Sequence, residues 1–197
     1  MNTERQTAPR LGALILVAAI AAAAGAALRT PMPRLQAVTA GAAAEPLPNY
    51  REALVRFLER HPRDGRGWVL LAMSELESER WAEAAAAFEK AVEVSPKVAA
   101  DPAVWCEWAD ALGMAQGGSL AGRPTELIER ALALRPQHPK ALEMAGSAAY
   151  GRRDFKLAAE YWRRLLPQLD AASPAHGELS AAIARAERLS RTALPPG

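Results

Sequence analysis

The chain has 197 residues, 24 of them basic and 22 acidic, for a net charge of +2. That length holds one compact domain. The small net charge, with Arg interleaved among Glu and Asp, describes solvated helix faces and gives no field strong enough to draw nucleic acid. Half the residues are hydrophobic but only 6% are aromatic, and much of the apolar content is Ala, which favours helices and lets their axes approach. Cys106 is the only cysteine, which excludes an internal disulfide, a CxxC redox pair and a CxxCH haem attachment site.

In chain order, residues 1–10 form a short polar tail and residues 11–28 an uncharged apolar segment closed by Arg10 and Arg29. Its eighteen residues, at ~1.5 Å each, span about 27 Å, just enough for the hydrocarbon core of a bilayer. The large aliphatics crowd its first half and Ala fills the second. It reads as an uncleaved transmembrane anchor, with a removed signal peptide as the alternative. Either way the rest of the chain is expected across the membrane, which in a bacterium means the periplasm. Residues 29–48, rich in Pro, Ala and Gly without helical periodicity, read as a tether.

Residues 49–191 carry helical periodicity throughout and no strand candidate, so an all-α fold is expected, followed by a tail at 192–197. Tyr50 to Arg60 places Leu54, Phe57 and Leu58 on one side. From Gly65 the chain follows the 34-residue pattern of a tetratricopeptide repeat (TPR), a helix pair with small residues at the crossing and large ones beside it. Trp68, Leu71, Ala72, Ala84, Phe88, Ala91 and Pro96 match it, and Glu75 departs where Tyr is usual. A second unit starts at Pro102 with Trp105, Trp108, Ala109 and Leu112, then Leu127, Ile128, Ala131 and Leu132; its two helices are separated by an insertion within Gln116 to Pro124. A third has Leu142, Ala145, Gly146 and Ala149, then Ala158, Trp162, Leu165 and Leu166. Leu179, Ala182, Ile183, Ala186 and Leu189 form a last amphipathic helix, expected to cap the stack. Trp68, Trp105 and Trp162 fall on core positions of the repeat.

The stretches HPRDGRGWVLLA, WAEAAAAFEKAVEVSP, MAQGGSLAGRPTELIERALALRP and KALEMAGSAAYGRRDFKLAAEYWRRLLPQL resemble the TPR subunit of bacterial cytochrome c haem lyase, in its short single-anchor form. The resemblance implies a TPR superhelix that holds apocytochrome c, often by its C-terminal segment, and contacts other haem lyase subunits at the inner membrane. In such a stack the first helices line the concave face at repeat positions 2, 5, 9, 12 and 13. Here those are Arg66, Val69, Met73, Leu76 and Glu77; Ala103, Cys106, Asp110, Gly113 and Met114; and Lys140, Glu143, Ser147, Tyr150 and Gly151. The mixture suits an amphipathic peptide, with Met73 and Met114 giving adaptable apolar contact, the acids meeting Lys, and Arg66 and Lys140 meeting carboxylates. A membrane-tethered TPR adaptor for another envelope assembly is the competing reading.

Nothing in the sequence assembles a catalytic or cofactor site, and the chain is expected not to be an enzyme. His61 and His138 each precede Pro in a turn, and His176 is expected in the loop before the last helix; no two share a metal-ligand spacing. Gly117, Gly118 and Gly122 lack the Gly-Lys-Ser/Thr of a phosphate loop and read as an inter-helix turn. Glu75, Glu77 and Glu79 crowd one helix end with no base or nucleophile beside them.

Overall fold

The computed structural model describes residues 50–192. The tail at 1–10, the apolar segment 11–28, the tether 29–48 and residues 193–197 lie outside the described residues. Among those described, no helix is long and apolar enough to cross a membrane.

The described residues form α1 (Tyr50–Arg60), α2 (Gly65–Glu77), α3 (Trp81–Val94), a short α4 (Pro96–Ala99), α5 (Pro102–Ala115), α6 (Arg123–Leu134), α7 (Pro139–Gly151), α8 (Phe155–Leu165), a 3-10 turn (Leu166–Gln168) and α9 (Pro174–Thr192). There is no strand among them. The helices pack as pairs, α2 with α3, α5 with α6 and α7 with α8, and each pair stacks on the next through α3 on α5 and α6 on α7. Helix α1 leans on α2 and α9 closes the other end against α8.

Local chemistry sets the start of each first helix. Asp64 and Asp101 accept from the backbone N–H of Gly67 and Ala103, both at 2.9 Å. His138 Nδ1 accepts from Ala141 N at 3.3 Å. These caps satisfy donors that the first helical turn leaves without partners. Pro102 and Pro139 open α5 and α7, where a missing N–H costs nothing.

The ends of the first helices share one geometry. The N–H of Arg80, Gly118 and Asp154 donates to the carbonyl of Glu75, Gly113 and Ala149 at 2.9, 2.8 and 3.0 Å. The preceding residues Glu79, Gly117 and Arg153 have φ of 56°, 75° and 65°. This is a Schellman closure made three times, although only the middle turn uses glycine at the left-handed position. In the first and third pairs the second helix follows at once. In the middle pair the residues Ser119 to Gly122 intervene before α6, so the expected insertion enters after an otherwise ordinary turn. Leu120 tucks its side chain against the core, and its carbonyl accepts from Thr125 Oγ1 at 2.6 Å.

Small side chains occupy the crossings. Ala72, Ala84, Ala91, Ala109, Ala131, Ala149 and Ala158 are all fully buried, with Phe88 and Leu142 filling the space beside them. Such residues let axes close to within side-chain packing distance. Helix α7 approaches α8 closely, and a Cβ added to Gly146 would lie 2.1 Å from Trp162 Nε1.

Glu75, the departure from the repeat pattern, is buried and receives Arg51 Nε of α1 at 2.7 Å, while Arg80 of the α2–α3 turn donates to its other oxygen. The carboxylate thus replaces an aromatic filler with two ionic ties, one of which fastens α1 to the first pair.

Two expectations are corrected and one element is new. Trp162 is core, but Trp68 and Trp105 are only half-buried. Their indole N–H groups donate to Pro62 O at 2.9 Å and Ala99 O at 2.7 Å, so each ring seals the loop before its own helix. His176 lies on α9, not in a loop, because that helix begins at Pro174. The short α4 was not expected: Ser95 Oγ accepts from Val98 N at 3.3 Å, and Val98 turns into the core.

Candidate functional site

The first helices of the pairs carry matching stripes that a helical i, i+4, i+7, i+11 spacing places on one face. On α2 the stripe is Arg66, Leu70, Met73 and Glu77, all exposed. On α5 it is Ala103, Glu107, Asp110 and Met114, and on α7 it includes Lys140 and Ser147 and ends at Gly151. Leu70, Met73 and Met114 expose 47%, 41% and 37% of their surface, three of the five large hydrophobic residues exposed among the described residues. Half-buried Val69 stands beside Leu70 and Met73. Exposed apolar side chains thus share these helix faces with acidic ones.

Helix α7 is tied to α5 across this face. Lys140 Nζ lies 2.9 Å from Glu107 Oε1 and 3.4 Å from Asp110 Oδ2. Burial alone would lower the lysine's pKa, but the two carboxylates outweigh it and hold the ammonium above its ordinary value. One turn on, Glu143 is enclosed and accepts from Ser147 Oγ at 3.2 Å. Burial raises its pKa and the Asp110 charge adds to that, against the opposing pull of the Ser147 hydroxyl and Lys140.

Of the residues assigned to the groove from the repeat pattern, Arg66, Val69, Met73, Glu77, Asp110, Met114, Lys140 and Ser147 keep accessible surface. Cys106, Gly113 and Glu143 do not, and their placement on an open face is corrected. Cys106 is fully buried, with Sγ 3.8 Å from His138 Nδ1. Burial pushes its thiol up to about 12, which keeps it protonated at neutral pH. His138, the cap of α7, has its pKa lowered by burial and by Arg135, which keeps the neutral ring that the cap requires. Tyr150 is half-buried and turns its ring onto Phe155 and Trp162, with centroids 5.1 and 5.7 Å away. Sequence reasoning missed Leu70 and Glu107; the exposed i, i+4, i+7 spacing around Met73 and Asp110 was the available signal. Among the described residues no three His, Cys, Asp or Glu side chains are placed to hold a metal ion.

The family model for the cytochrome c-type biogenesis protein H TPR domain matches residues 36–176. The chain belongs to that family. Cytochrome c-type biogenesis protein CycH of Pseudomonas aeruginosa is 31% identical over 144 residues, which are 73% of this chain and 35% of that protein. CycH of Bradyrhizobium diazoefficiens is 34% identical over 119 residues, 59% of this chain and 31% of its own length. The chain therefore spans about a third of the length of these curated relatives. Two crystal structures of MamA share the helical architecture. One has a TM-score of 0.56 at 13% identity, covering 72% of this chain and 87% of its own. The other has 0.54 at 16% identity, covering 73% and 79%. At those identities the likeness is one of fold alone.

Proposed function

We propose that this member of the cytochrome c-type biogenesis TPR family is a non-catalytic adaptor. It holds apocytochrome c by an amphipathic C-terminal segment and presents it to the membrane subunits of a haem lyase. The observation that carries the reading is the exposure of Leu70, Met73 and Met114 on the helix faces that also carry Glu77, Glu107 and Asp110. An amphipathic helix laid on such faces buries its apolar side on the Met and Leu residues and sets Lys against the acids, the usual helix-in-groove mode. The apolar segment at 11–28 supports a location at the inner membrane, with the helical stack in the periplasm.

The test is calorimetric titration of the chain with an apocytochrome c from the same organism, its isolated C-terminal peptide, and the folded haem-bearing form. Micromolar or tighter binding of apo protein and peptide is expected, equivalent to about 8 kcal/mol, with the holo form binding at least tenfold more weakly. Equal affinity for apo and holo forms, or no binding, refutes the reading and leaves a general envelope adaptor in its place.

A further inference from the structure

The acids of the open face are not free in the unbound chain. Glu107 and Asp110 share the ammonium of Lys140, which reaches over from α7 at 2.9 and 3.4 Å. The carboxyl of Glu143, enclosed beside them, has among the described residues only the Ser147 hydroxyl as a hydrogen-bond partner and no ion pair of its own. Read from the repeat pattern alone, Lys140 looks like a hook for a partner's carboxylate. The geometry says otherwise: its charge is already spent on two carboxylates of its own chain.

We infer that Lys140 is a built-in competitor for the binding face, occupying the place that a lysine of the bound segment takes between Glu107 and Asp110. The inference rests on the proposed function above and names the residue that sets how tightly, and for which side chain, the face binds.

Charge complementarity identifies the occupant. Glu107, Asp110 and Glu143 face one ammonium, so the cluster already accommodates a primary amine and remains short of positive charge when Lys140 leaves. The ion pairs are partly exposed, with 30–39% of the side-chain surfaces open. Such pairs hold weakly, and the flexible lysine stem lets the ammonium swing to water without moving the backbone. A partner lysine delivered on an apolar helix then meets the same two carboxylates. Apparent affinity is reduced by the fraction of molecules in which Lys140 still sits there. A carboxylate on the partner at this position would face the surplus of acids and be repelled.

The test uses the full chain of 197 residues in detergent micelles, as wild type, Lys140→Met and Lys140→Gln. Each is titrated with the C-terminal peptide of an apocytochrome c and with the same peptide carrying Gln in place of Lys. Met keeps the aliphatic stem without the charge, and circular dichroism checks that each variant is folded. The expected result is binding of the Lys peptide about three- to tenfold tighter in both variants than in wild type, with a steeper loss in salt. The Gln peptide gains nothing. In a Glu107→Gln/Asp110→Asn background the gain from Lys140→Met disappears. Unchanged or weaker binding of the Lys peptide by the Lys140 variants overturns the inference while leaving the proposed function standing. Failure of every peptide to bind wild type and variants alike overturns both.

Discussion

At Gly146 two helices of the stack approach closely, and adding one methyl group there is a sharp test of that approach. A Cβ on Gly146 would lie 2.1, 2.4 and 2.7 Å from Nε1, Cδ1 and Cε2 of Trp162. The indole is 5% exposed, wedged between α7 and α8 against Tyr150, with its N–H directed at Glu143 O at 3.4 Å. The clash is with the rigid ring itself, so α7 and α8 must separate or the ring must leave its site. Overpacking of this kind costs about 1–3 kcal/mol, and full loss of a buried Trp about 3–5 kcal/mol. Gly146→Ala is therefore expected to destabilise the fold by about 2–4 kcal/mol, measured by urea denaturation with far-ultraviolet circular dichroism. Trp162→Ala opens the space the methyl needs, so the double variant should lose at least about 1 kcal/mol less than the sum of the single losses. A Gly146→Ala protein within about 0.5 kcal/mol of wild type, or strict additivity in the double variant, refutes the close approach.

The other predictions concern charge and turns. Glu143 is faced by Asp110 and Lys140, accepts from Ser147, and has a folded pKa above its ordinary 4.5. The native state thus holds a proton that the unfolded chain has released, and stability falls as pH rises from 4.5 through the folded value, staying lower above it. Glu143→Gln removes that fall, so its melting temperature should exceed the wild type's at neutral pH and not below pH 4.5; an equal effect at both would show that the carboxyl's ionisation is not the cause. At the α2–α3 turn, Glu79→Gly should stabilise by about 0.5–1 kcal/mol by relieving a left-handed residue, and Gly117→Ala should destabilise by about 1 kcal/mol. Thermal melts decide, and the same sign for both would mean that the two turns are not closed alike.

The repeat was legible because packing itself writes the signal. Ala72, Ala84, Phe88 and Ala91 must be small or large according to where two helices cross, and each is fully buried where the pattern placed it. Depth was less legible than direction. Trp68 and Trp105 point toward the interior but sit at its edge, since periodicity fixes the face of a helix and not how far a neighbour extends over it. Cys106 and Glu143 fail as groove residues for the same reason: the repeat gives their direction, and only the approach of α7 to α5 encloses them. The shared closure of the three turns was hidden because Glu79 and Arg153 are not residues that announce a left-handed position. The role of Glu75 needed Arg51, which stands 24 residues earlier on another helix.

The exposed Leu and Met residues also limit what this face can do unaided. Burying a Leu or Met completely yields about 1.5–3 kcal/mol. Leu70, Met73 and Met114 have 47%, 41% and 37% of their surface left to bury, so together they supply about 2–4 kcal/mol. Micromolar binding requires about 8 kcal/mol, and the acids add little while Lys140 holds two of them. Most of the remainder must come from apolar surface that the partner itself removes from water. An unfolded, haem-free chain has that surface to offer along an amphipathic segment, whereas a folded cytochrome has already buried it in its own core. Under the proposed function, selection of the apo form would then need no feature that senses haem. On that proposal the exposed Leu and Met residues call for a partner whose hydrophobic side is still uncovered, and the Glu107–Asp110–Lys140 cluster would set which charged side chain such a partner brings.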